Sequence, residues 1–140
     1  MIILDTDHMS LLQRGNAEGQ RIRLRLLTVP LDDVAATIIS YEEQMRGWLA
    51  RIGRFTTLER QVSDYGEVKK MLRNYCNIAV MDFGIEASAE FQRLLTSRIR
   101  VGTMDLKIAA IAIANGATLL TRNRIHFDKV PGLNTEDWSL

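Results

Sequence analysis

Short apolar runs alternate with longer stretches of three- and four-residue apolar spacing along the whole chain. Ile2–Leu4 leads into two aspartates and reads as a short buried strand. Helical spacing follows over about 8–13, broken by Gly15-Asn16, and again over about 17–27, up to a break at Pro30. The β-branched run VAATII (34–39) predicts a second buried strand, and a helix over about 40–51 ends near Gly53. Leu58, Val62, Tyr65, Val68 and Leu72 then form an apolar stripe on a long helix over about 56–75, which should face the core. IAVM (78–81) predicts a third strand, and 84–97 a further helix. The helix over 103–115 is closed by Gly116, ATLLT (117–121) is a fourth strand and 134–138 a short fifth.

Strands separated by helices predict an α/β layer fold with a mainly parallel sheet. Sites in such folds gather beyond the carboxyl ends of the strands. Asp5, the start of the helix at Ser40 and the segment after Thr121 should therefore share one rim.

Composition narrows the class. At 140 residues the chain suits one domain, 1–140, and 46% apolar with 25% charged residues is a globular balance rather than a disordered one. A single cysteine, Cys76, excludes an internal disulfide framework and reads as a small buried residue. There is no basic leader followed by a long apolar stretch, and no apolar run near the roughly 20 residues of a membrane span, so a cytoplasmic protein is expected. The net charge of +1 hides clusters at Arg21, Arg23 and Arg25, at Lys69, Lys70 and Arg73, at Arg98 and Arg100, and at Arg122 and Arg124. These read first as solvated helix faces and second as phosphate contacts.

Three acidic features sit at element ends: Asp5 and Asp7, Glu42 and Glu43, and Asp105. Carboxylates converging on one rim repel each other unless cations neutralise them, and a hard ion such as Mg²⁺ takes oxygen ligands. Singly, each has a plainer role. Asp7 is placed to cap the first helix, Asp105 suits a helix first turn, and Glu42 and Glu43 suit a solvated face, where Glu43 lies three residues before Arg46.

Taken in order, LDTD after the first strand, SYEEQMRGW, MDLKIAAIA and ATLLTRN resemble the PIN-domain ribonucleases, above all the VapC-type toxins of toxin–antitoxin pairs. The resemblance runs from Ile2 to about Trp138, with VPGLNTEDW similar to the family's usual ending. It implies a three-layer α/β fold with a central sheet of four to five strands. It also implies RNA cleavage with Mg²⁺, or Mn²⁺, held by acidic residues. Asp5 and Asp105 would bind the metal, and Glu43, followed four residues later by Gly47, would complete the catalytic set. The apolar stripe Ile38, Tyr41, Met45, Trp48, Leu49, Ile52 points the other way, because it makes Glu42 the half-buried carboxylate. The resemblance favours Glu43.

Thr6, Asp7, Thr121, Arg122, Asn123 and His126 are the expected outer contacts to substrate or carboxylates, with Arg124 beside them. His126 stands where the family commonly has an aspartate, and Asp128 lies two residues on. The resemblance further implies an RNA substrate, a small VapB-like antitoxin partner and a homodimer, for which Trp48 is either an interface or a core residue. Two alternatives stay open: a PIN-like module that binds without cutting, for which His126 speaks, and a haloacid-dehalogenase-type phosphatase, for which D-T-D speaks.

Overall fold

The computed structural model describes residues 1–54 and 56–140. Its centre is a five-stranded, all-parallel sheet in the order β3-β2-β1-β4-β5. The strands are β1 (Ile2–Leu4), β2 (Val34–Thr37), β3 (Ala79–Met81), β4 (Thr118–Leu120) and β5 (Asn134–Glu136). Around them lie α1 (Thr6–Arg14), α2 (Ala17–Leu26), α3 (Ile38–Gly53), α4 (Leu58–Cys76), α5 (Ile85–Thr96), α6 (Thr103–Ala114) and the short α7 (Arg124–Phe127). No helix among the described residues is long and apolar enough to cross a membrane.

Side chains alternate between the two faces, as the two-residue period of a strand demands. Ile3, Ala35 and Leu119 pack with Leu94, Leu106, Ile108 and Ile111 of α5 and α6. Leu4, Val34, Ala36 and Leu120 pack with Met9, Leu11, Ile22, Met71 and Tyr75 of α1, α2 and α4. With both faces covered, the central strands carry continuous apolar runs, which is why they are visible in the sequence. The chain builds β1, β2 and β3 outward on one side, then returns to place β4 on the other side of β1. That reversal opens a crevice at the carboxyl ends of β1 and β4.

Three expectations need correction. First, Ile38 and Ile39 belong to α3, because the Thr37 hydroxyl accepts a hydrogen bond from the Ser40 amide at 3.1 Å and starts the helix there. Second, the apolar stripe of α4 faces outward: Leu58, Val62, Tyr65 and Leu72 are exposed, and Asp64, Met71 and Tyr75 are buried instead. Buried Asp64 is accommodated by Arg51 of α3, whose Nε lies 3.3 Å from its carboxylate. Third, Cys76 is exposed at the last residue of α4 rather than buried.

The turn between α1 and α2 packs the two helices closely together. Gly15 caps α1 at φ 67°, in the left-handed region, and donates its amide to Leu11 O at 3.3 Å. Gly19, in the first turn of α2, lies so close that a Cβ there would stand 2.2 Å from Leu11 O. Gly19→Ala is therefore expected to destabilise the protein by about 3 kcal/mol or more, the upper end for overpacking against backbone. A lower urea midpoint at unchanged slope would register it, and an unchanged midpoint would refute it.

Candidate active site

At the carboxyl end of β1 the chain turns straight into α1, and Asp5 is the residue that caps it. Its Oδ1 accepts the His8 amide at 2.8 Å, and the residue is only 5% exposed. Asp5 rather than Asp7 is thus the cap, so the helix begins two residues before the position its apolar spacing suggests. Asp7 lies inside the first turn, exposed, with its charge beside the same opening.

The second carboxylate comes from α3. Thr6 Oγ1 donates to Glu43 Oε1 at 2.7 Å and lies 3.1 Å from Ser40 Oγ. Glu42 turns outward and pairs with Arg46 at 2.6 Å, the partner that the sequence had offered to Glu43. The helical wheel misleads here because α3 lies across the rim and has two flanks. One packs against α4, and the other, bearing Glu43, faces α1 and the end of β1.

The third carboxylate, Asp105, stands in the first turn of α6, whose apolar body (Leu106 and Ile108–Ala112) is buried. Together Asp5, Thr6, Asp7, Glu43, Asp105, Asn123 and Phe127 line a cleft of about 210 Å³. Burial is the main force raising the Glu43 pKa. The charges of Asp105, Asp5 and Asp7 add to it, and the Thr6 hydrogen bond opposes it. Asp105 is raised for the same leading reason, with Asp5 and Asp7 adding and His126 opposing. The cleft is thus a place where negative charge is held at a cost that a cation would offset.

Asn123 lines the cleft, its amide held by Thr121 Oγ1 at 2.9 Å, and its Nδ2 donates to His126 Nδ1 at 2.9 Å. Thr121 is fully buried and supports this turn from beneath rather than reaching into the cleft. His126 is exposed at the mouth, near enough to Asp105 for their charges to interact. Arg122 points to Glu18 of α2, with 3.5 Å between Nη1 and Oε2. Arg124 contacts Thr135 and Asp128. Asp128 is engaged by both Arg124 and Thr135, away from the acidic group.

Among the described residues, no three His, Cys, Asp or Glu side chains form one ready ligand cage. The donor set nevertheless fits Mg²⁺, which takes oxygen ligands, uses one or two carboxylates and keeps several waters. Asp5 and Asp105 are the residues that would hold it.

A family model described as "PIN domain" matches residues 2–133. The chain belongs to the PIN-domain family. This membership sets aside the phosphatase alternative. One similar protein is "Ribonuclease VapC1" of Rickettsia felis, 40% identical over 58 residues, which are 39% of this chain and 43% of that protein. The matched stretch thus spans less than half of that relative's length. Among solved structures, VapBC-1 from nontypeable Haemophilus influenzae has a TM-score of 0.77 at 20% identity, covering 100% of both chains. FitAcB from Neisseria gonorrhoeae has 0.72 at 21% identity, also covering 100% of both. VapBC2 from Rickettsia felis, bound to a promoter DNA fragment, has 0.68 at 23%, covering 99% of both. These likenesses establish a shared PIN fold.

Sequence reasoning missed three residues of this candidate site. Ser40 sits beneath Thr6, Phe127 walls the cleft, and His8 is fully buried beside Asp5. Only His8 left a signal, since a residue three places after Asp5 in a helix lies on the same side.

Proposed function

We propose that this PIN domain, residues 1–140, is a divalent-metal-dependent endoribonuclease and the toxin of a VapBC-type toxin–antitoxin pair. The observation that carries the reading is the convergence of Asp5, Glu43 and Asp105, from three distant parts of the chain, on one cleft. The ribonuclease named above supports RNA as the substrate, and the VapBC structures support a protein partner.

When bound by Asp5 and Asp105, Mg²⁺ or Mn²⁺ supplies charge stabilisation at the phosphoryl oxygens and acidifies water. Glu43 orients the attacking water and accepts its proton, a role suited to a carboxylate whose pKa is raised by burial. The Thr6 hydroxyl fixes one Glu43 oxygen, so the carboxylate approaches substrate in a single orientation. Asn123 and His126 contact the phosphodiester at the mouth. Arg122 and Arg124, engaged elsewhere, contribute at most long-range attraction.

A VapB-like antitoxin and a second copy of the chain are the proposed protein partners. The exposed stripe Leu58, Val62, Tyr65 and Leu72 supports contact with another protein, since apolar surface of that extent is costly in water. So does a separate apolar groove of about 490 Å³ bordered by Met9, Leu12, Leu26, Leu27 and Val29. Trp48 is half-buried, packed against the margin of the core with Arg51 over its ring. The second reading, a PIN module that binds without cutting, is favoured by His126 in place of the family's aspartate.

The deciding experiment is incubation of antitoxin-free protein with labelled single-stranded RNA, with Mg²⁺, Mn²⁺ or chelator. Cutting that requires the metal supports the nuclease. Intact RNA with both metals, over several substrates, supports the binding module.

Stability carries a separate prediction. Because Glu43 and Asp105 have raised folded-state pKa values, the folded protein binds more protons than the unfolded chain between their ordinary and raised values. Stability of the metal-free protein should then fall as pH rises through that interval, and the unfavourable contribution persists at neutral pH. Mg²⁺ added at neutral pH should restore stability, by about 2.7 kcal/mol when free metal is 100 times its dissociation constant. The gain should shrink as pH drops into the carboxylate range. Thermal unfolding with and without Mg²⁺ across pH checks both signs, and a gain independent of pH would contradict them.

A further inference from the structure

We propose that His8 is a positioning residue for Asp5, and that the carboxyl-terminal segment sets its tautomer. The inference rests on the reading of Asp5 as a metal ligand.

His8 is 0% exposed, on the first turn of α1. Its Nε2 accepts the backbone amide of Trp138 at 3.2 Å, so Nε2 carries a lone pair and not a proton. The proton of the neutral ring therefore sits on Nδ1. Nδ1 is buried and has no hydrogen-bond partner among the described residues, and the acceptor facing it is Asp5 Oδ1 at 3.5 Å. The same Oδ1 already accepts the His8 amide. Backbone and ring of one residue thus address one oxygen of Asp5.

Asp137 does not compete for this ring. Its Oδ1 lies 3.6 Å from Nε2, but it already accepts the amide of Ser139 at 2.8 Å and the Ser139 hydroxyl at 2.6 Å. Trp138 is pinned in turn. Its indole donates to Glu136 at 2.6 Å, the Arg25 guanidinium lies 4.5 Å over its ring, and Arg21 donates to Ser139 O at 2.6 Å. Two arginines of the RIRLR cluster therefore hold the tail rather than a nucleic acid. Through Trp138 they hold the imidazole whose Nδ1–H faces Asp5. A histidine beside a ligating carboxylate acts by fixing that carboxylate's orientation, and loss of such a partner typically lowers metal affinity about 10- to 100-fold.

The test combines spectroscopy with metal binding. Two-bond ¹⁵N–¹H correlations of the histidine rings should show His8 as the neutral Nδ1–H tautomer. An Nε2–H tautomer or an imidazolium would overturn the proposal, whatever the variants do. Mn²⁺ affinity is then measured by calorimetry for the parent, Asp5→Asn, His8→Asn and His8→Gln, each checked for folding by circular dichroism. An asparagine amide can reproduce the Nδ1 donor, whereas a glutamine amide reaches the Nε2 position. His8→Gln should weaken Mn²⁺ binding about 10- to 100-fold, and His8→Asn should recover most of it. Equal affinity in both His8 variants, or equal loss in both, overturns the positioning role while leaving the site reading intact. Parent protein that binds no Mn²⁺, or Asp5→Asn that binds it undiminished, overturns the site reading and this inference together.

Discussion

Asp5→Asn is expected to fold as the parent does and to cleave RNA at least about 100-fold more slowly, the scale for losing one preorganised electrostatic contact to a transition state. The residue has two jobs that this substitution separates. As helix cap it accepts the His8 amide through Oδ1, and an asparagine carbonyl oxygen can do the same. As proposed metal ligand it supplies a negative charge, which asparagine lacks. Asp5→Ala removes both and should also lose about 1 kcal/mol of stability with the cap. Initial rates on labelled RNA at saturating Mg²⁺, beside thermal unfolding of each variant, distinguish the two jobs. Equal cleavage by Asp5→Asn and parent would remove Asp5 from the mechanism.

Adjacent glutamates give the second large contrast. Glu43→Gln should lower the cleavage rate by about 10²- to 10⁴-fold, the range for loss of a positioned general base. Glu42→Gln should leave the rate unchanged, since Glu42 faces outward to Arg46 across an exposed pair worth about 0–1 kcal/mol. Stability should move oppositely to activity. Glu43→Gln removes a desolvated carboxylate that is repelled by Asp105, Asp5 and Asp7, so the metal-free variant should melt above the parent at neutral pH. Paired rate and melting measurements on both variants are sufficient. A larger rate loss in Glu42→Gln than in Glu43→Gln would reverse the assignment.

The contrast also shows how the chain was legible. Apolar spacing makes α3 a helix, and it correctly finds Tyr41, Met45 and Trp48 on a partly buried side. It cannot find Glu43, because a helix lying across a sheet rim has a second flank that meets polar groups. Only the motif spacing of Glu43 with Gly47 pointed there. The stripe on α4 shows the reverse failure: its period announces a helix, but the apolar side faces out while Asp64, Met71 and Tyr75 face in. Periodicity measures segregation of side chains, and it is blind to which side meets the sheet and which is left for another surface.

Strand positions, the parallel layering and the rim shared by Asp5, the start of α3 and the segment after Thr121 are contained in the sequence by itself. Strands buried on both faces need apolar runs, and crossover helices need their own period. The tertiary structure alone decided that Asp5 caps α1, that the Thr6 hydroxyl fixes the Glu43 carboxylate, and that Trp138 reaches His8. Each depends on a hydrogen bond or packing contact whose direction is set by how elements dock. Local spacing carries no record of a partner 130 positions away.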